Sequence, residues 1–162
     1  MLLVVRVGAL AFAAAVLFLH WQRRDIDPLR RGISHYAAGP YGWLMTFGFL
    51  ALASALATAA WIGNGNRSAW LWIAAGGMVG VAMTPIAPRS SPLAQFIHQA
   101  AGFAFFVAMF GVAITEWAVW PDIAIALAVP LFLASFAVAR LATIAGALQR
   151  LVFALVVFWL VR

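Results

Sequence analysis

A chain of 162 residues with 67% hydrophobic side chains, 9% charged ones and a mean hydropathy of +1.04 cannot cover a water-facing surface, because soluble domains carry about 25% charged residues. This composition excludes a separate soluble domain and predicts an all-α, polytopic membrane helix bundle of six transmembrane helices, one domain over residues 1–162. The net charge of +6 comes from arginines dispersed at the ends of apolar runs, which excludes a nucleic-acid stripe, and the absence of cysteine excludes disulfides, iron–sulfur clusters and thiol catalysis.

Helix one is expected at about 2–20; the polar HWQRRD after it and the lack of a small-x-small cleavage site read as an uncleaved signal anchor. The stretch DIDPLRRGIS follows, in which Asp27 can cap a short interfacial helix with Pro28 in its first turn, placing Leu29 and Ile33 on one side and Arg30 and Arg31 on the other. Helix two is placed at 40–62, the turn-rich GNGNRS at 63–68, helix three at 69–87 and the APRSSP loop at 87–92. Helix four is placed at 93–116, helix five after WPD at 121–139 with a kink expected at Pro130, and helix six at 146–161.

All eight tryptophans fall near an expected helix end, where the amphipathic indole prefers the headgroup level. Arg23, Arg24, Arg30, Arg31, Arg89, Arg140 and Arg150 share one face of this map, against Arg6, Arg67 and Arg162 on the other. The bias predicts a multi-pass protein of the bacterial inner membrane with both termini outside the cytoplasm. Gly76 with Gly80, and Ala53 with Ala57, have the small-xxx-small spacing that lets helix backbones approach, either within the bundle or in a homo-oligomer.

Polar residues concentrate on the arginine-rich face. His20, His35 and His98 lie there with Asp25 and Asp27, while Glu116 and Asp122 fall on the opposite side. Three imidazoles and a carboxylate could hold zinc with an open position for activated water, but the spacing matches no metal motif. Haem would need two inward-facing histidines, and only His98, with Gly102 one turn on, is placed for that. No cofactor is therefore expected. Ser34 beside His35 forms no nucleophile–base pair, since neighbouring side chains on regular backbone diverge, and Gln95, His98 and Gln99 make a polar opening to helix four. Arg23, Arg24, Arg30 and Arg31 read as an anchor for anionic lipid, worth about 1 kcal/mol each near the surface.

The segments DPLRRGISHYAAGPYGWLM, TPIAPRSSPLAQFIHQAAG and GALQRLVFALVVFWL together resemble the domain of unknown function 998 family of small prokaryotic membrane proteins. The resemblance covers nearly the whole chain, and its most specific positions are Asp27-Pro28, Ser34, Tyr36, Gly39 to Gly42, Pro85, His98 and Gln149-Arg150. It implies a six-helix bundle and no established activity. Relatives tend to have an acid where this chain has His35, and a proline-acid pair where it has Pro88-Arg89, so two carboxylates of a polar site are missing. The resemblance also implies that Ser34, Tyr36, His98 and Arg150 converge, with Arg89, on a pocket for a lipid headgroup or an anionic metabolite.

These readings lead to a non-enzymatic accessory or scaffold protein, packed against other membrane subunits or its own copies and binding anionic lipid at its arginine-rich face. The alternative is a lipid- or small-molecule-handling protein, an interfacial hydrolase or a transporter, built on the same polar residues.

Overall fold

The computed structural model describes residues 1–86, 90–116 and 120–162, without the side chain of Glu116. Arg89 and Trp117 thus lie outside the described residues, as do Pro88 and the Glu116 carboxylate. Among the described residues the chain is all-helical: α1 Leu2–Gln22, α2 Gly42–Ile62, α3 Gly65–Met83, α4 Pro92–Glu116, α5 Trp120–Ala134, α6 Ala139–Ala142 and α7 Ala145–Val161, with a 3₁₀ helix at Ile33–Ala37 between α1 and α2. Consecutive long helices lie side by side, and α7 returns against α1, so the six longer helices close a ring.

Phe153 of α7 sits near the middle of the ring. Its phenyl stacks on Phe105 at 5.1 Å and meets Phe12 of α1 at 5.1 Å and Phe106 at 5.6 Å. Met45, Leu52, Met78 and Met109 are buried in the same core. The outer surface is as apolar as the interior: Leu3, Leu17, Phe47, Trp61, Phe96 and Leu127 are all more than half exposed. A water-soluble monomer does not present such a surface. Among the described residues three helices, Leu2–Gln22, Gly42–Ile62 and Pro92–Thr115, are long and apolar enough to cross a membrane. These features mark the chain as a membrane protein.

Two helices depart from their expected bounds. Helix three, expected at 69–87, runs Gly65–Met83. The turn signal GNGNRS spends only Gly63 and Asn64 on the break, with extended Asn64 as the N-terminal cap, and the far end stops because Pro85 disfavours helical backbone at Thr84. Helix five, expected at 121–139, ends at Ala134. Pro130 removes a helical amide one turn earlier. The Ser135 hydroxyl then takes the Phe132 carbonyl at 2.6 Å, and the backbone tightens into three successive i-to-i+3 bonds from Ser135, Phe136 and Ala137. The four-residue α6 follows.

The small-residue spacing in α3 is used, but on a different face. Gly77, rather than Gly76, meets α4: a Cβ there would lie 2.7 Å from Ala101 O and 3.0 Å from Phe105 N, whereas one at Gly76 would meet nothing within 4 Å. Gly80 also faces Ala101. Gly77→Ala is therefore expected to cost about 1–3 kcal/mol by forcing α3 and α4 apart, and Gly76→Ala to be neutral or to stabilise by up to about 1 kcal/mol through helix propensity. Thermal unfolding of the two variants in detergent checks the pair, and equal midpoints would refute this packing.

Candidate functional site

The 23–41 connection is held by two arginines, Arg23 at its start and Arg150 from α7. At its start Arg23 grips Asp25 through Nε and Nη2 at 2.9 and 2.8 Å and donates through Nη1 to the Ala38 carbonyl. The hydrogen bonds from Arg23 hold the Asp25 carboxyl below its ordinary pKa. Asp27 does cap: its Oδ1 accepts the Leu29 amide at 2.9 Å, while its carbonyl accepts Arg31 N at 2.9 Å. The interfacial helix expected after it is a single turn, however. Leu29 is exposed and Ile33 buried, so they do not share a side.

The turn stops because its carbonyls have another partner. Arg150, in the second turn of α7, donates through Nη1 to Pro28 O and Arg31 O, both at 2.7 Å, and to Gly146 O at 3.0 Å. Its Nη2 donates at 3.0 Å to the hydroxyl of Tyr36, a fully buried side chain. The Tyr36 oxygen accepts there, so its proton is available to His20 Nδ1 at 3.1 Å. Gln149 adds a bond from Ile33 N to its Oε1 at 2.8 Å, and Ala147 N donates to Leu29 O. Gly146 permits the contact: a Cβ there would lie 2.5 Å from Arg31 O and 2.6 Å from Pro28 O.

Beside this clasp lies a cavity of about 480 Å³ between the 3₁₀ helix, α4, α5 and α7. Ser34, His35, His98, Gln99 and Gln149 line its loop end, and Phe103, Phe106 and Phe132 line the part reached one to two turns further along the helices. The His98 ring is buried, with Nδ1 2.7 Å from Thr84 O, and His35 Nδ1 lies 3.2 Å from Gly32 O. A carbonyl only accepts, so each Nδ1 donates, and on a neutral His35 ring Nε2 is left as an acceptor. Burial holds His35 below the ordinary imidazole pKa, so this ring is neutral at pH 7. Gln149, whose oxygen is taken by Ile33, keeps its amide donors. Apart from Arg30, which is exposed and pairs with Asp27, the cavity thus offers neutral donors and acceptors above an aromatic slot.

The residues expected to converge divide between two places. Ser34 and His98 line the cavity, together with His35; Tyr36 and Arg150 form the clasp behind it. Arg89 lies outside the described residues. Of the four arginines assigned to lipid, Arg24, Arg30 and Arg31 are exposed, whereas Arg23 is committed to Asp25 and Ala38. His20 pairs with Tyr36 outside the cavity, and no group of three His, Asp or Glu side chains that could hold a metal comes together among the described residues.

One family description, Protein of unknown function (DUF998), matches residues 6–162. The chain belongs to the DUF998 family. No curated protein and no solved structure matches it. In this DUF998 member the positions that carry the family resemblance, Ser34, Tyr36, His98, Gln149 and Arg150, gather at the loop end of the bundle, in the cavity wall and the clasp.

A second polar cluster, at the other end, was not anticipated from the sequence. Asp122 is buried in the first turn of α5; its Oδ1 accepts Trp159 Nε1 at 2.8 Å and its Oδ2 faces Arg162 Nη2 at 3.8 Å. Arg67 lies 4.7 Å over the Trp159 ring, and Arg6 donates to the Arg162 carbonyl at 3.1 Å. The available signal was charge: Asp122 shares its expected face with three arginines. The position of Trp159 at a helix end signals an interfacial ring and gives no sign of its partner.

Proposed function

We propose that this DUF998 protein binds an amphiphile in the α4–α5–α7 cavity, as a six-span protein of the bacterial cytoplasmic membrane with both termini outside the cytoplasm. The carrying observation is the two-part lining of that cavity, with hydrogen-bonding side chains at the loop end and phenyl rings deeper in. Its volume of about 480 Å³ lies within the usual range for small-molecule sites. Among the described residues no carboxylate lines it; His35 offers a neutral ring acceptor, Gln99 and Gln149 offer amides, and the charged lining residue Arg30 is exposed and pairs with Asp27 at 3.7 Å. An uncharged, hydroxyl-bearing headgroup suits this set, with its chain against Phe103, Phe106 and Phe132. The role is binding rather than turnover.

The six spans are supported by the closed ring: α5 and α7, at 15 and 17 residues, run about 22 and 25 Å, and ring neighbours cover part of their mismatch. The test is mass spectrometry of lipids retained after purification in a mild detergent. The wild-type chain is expected to retain an uncharged amphiphile. Gly102→Phe, which drives a ring into the cavity from a position where a Cβ meets only Val81 at 3.8 Å, is expected to reduce it at least about tenfold. The same retained species at the same level in both proteins would sink the reading.

A further inference from the structure

A second hollow, of about 560 Å³, runs between α1 and α7 on the other side of the clasp. Leu10, Ala13, Leu17, Phe153, Ala154 and Val157 are among its apolar walls, and among the described residues its polar lining is His20 and Arg150, both at the loop end. The Ile33–Gln149 hydrogen bond is part of the partition from the first cavity, with Ile33 on one side and Gln149 on the other. From Arg150 to Val161 the groove follows α7 for 11 helical rises, about 16 Å. That is roughly the hydrocarbon depth of one leaflet, half of the ~30 Å core.

The guanidinium at its head is incompletely satisfied. No Asp or Glu side chain pairs with Arg150 among the described residues; its four hydrogen bonds go to three carbonyls and a phenol. Three of them occupy Nη1 and one uses Nη2, and the guanidinium also lies 5.5 Å from the centre of the Tyr36 ring. Nε–H is buried without an acceptor. Arginine presents Nε–H and one Nη2–H as a planar fork that matches two oxygens of a carboxylate or phosphate. A positive charge placed in apolar surroundings without a counter-charge favours an anion over any neutral occupant.

We infer that the α1–α7 groove is a second binding site, which takes one acyl chain of an anionic amphiphile with its carboxylate or phosphate on the Nε/Nη2 edge of Arg150. Exposed Arg24 and Arg31 at the same end draw such lipids to the surface. The site is separate from the α4–α5–α7 cavity in both place and charge preference, and it stands whether or not that cavity holds a ligand.

The test is native mass spectrometry of the full-length, delipidated chain titrated with phosphatidylglycerol and with phosphatidylcholine of the same chains. The wild type is expected to bind phosphatidylglycerol at least about tenfold more tightly. Ala13→Trp and Ala154→Trp, which fill the groove without touching the Arg150 bonds, are expected to abolish that preference, and Gly102→Phe to leave it intact. Laurate competing with phosphatidylglycerol would assign a carboxylate-accepting fork, and phosphatidylglycerol alone a phosphate-accepting one; both outcomes support the site. Equal affinity for the two phospholipids would overturn it. So would a preference that survives both tryptophan variants, which places it on the surface arginines, or one lost only in Gly102→Phe, which places it in the first cavity.

Discussion

Arg150→Met is expected to release the 23–41 connection from the bundle and to destabilise the protein by about 3–5 kcal/mol. The change strips a charged donor from Pro28 O, Arg31 O, Gly146 O and the Tyr36 hydroxyl at once. Bonds to a charged group are worth about 1.5–3 kcal/mol each when measured singly, and they do not add in full when they share one side chain. Arg150→Lys should recover only part of the loss, because an ammonium cannot reach carbonyls on one edge and a phenol on the other as a planar fork does. Tyr36→Phe removes one hydroxyl and its bonds to Arg150 and His20, and should cost about 1–2 kcal/mol. Thermal unfolding in detergent ranks the three variants, and limited proteolysis reports cleavage between residues 23 and 41. A methionine variant with a wild-type midpoint and an unchanged proteolytic pattern would show that the clasp does not hold the loop.

How much of this was legible in the sequence depended on the kind of force involved. Apolar length places helices because hydrocarbon removes water as a partner for the backbone, and the expected and observed spans of α1, α2, α4 and α7 agree to within two residues. Partner choice is another matter. The run AAGGMVG allows several small-residue faces, and only the placement of Ala101 and Phe105 on α4 selects Gly77 over Gly76. The same applies to the arginines. A positive-inside count treats Arg23, Arg30 and Arg150 as equivalent charges at an interface, yet Arg23 and Arg150 spend their donors on backbone carbonyls while Arg30 makes an exposed pair with Asp27 at 3.7 Å. For Arg150 nothing in the local sequence distinguishes a snorkelling arginine from one that folds back, because Pro28, Arg31 and Tyr36, which accept from it, lie more than a hundred residues away. The candidate site was legible as a set, since Ser34, Tyr36, His98 and Arg150 share one end, but its division into a cavity and a clasp was not.

At the opposite end, Asp122→Ala is expected to cost about 2–4 kcal/mol, and Asp122→Asn about 1 kcal/mol. The carboxylate is 1% exposed, and alanine leaves the Trp159 N–H without the acceptor it has at 2.8 Å. Losing the partner of a buried polar group costs that group's desolvation as well as the bond. Asparagine keeps an acceptor for the indole and gives up only the charge. That charge counts for less than the burial of Asp122 suggests, because the Arg162 side chain is 37% exposed, 3.8 Å away, and can turn to the interface where water and salt screen it. Trp159→Phe should resemble Asp122→Ala, since it leaves Oδ1 unpaired. If the bond between them carries the effect, the double variant will be less destabilised than the sum of the singles by about 1 kcal/mol or more. Unfolding midpoints for the four proteins complete that cycle. Equal losses for asparagine and alanine would instead assign the effect to the ion pair with Arg162.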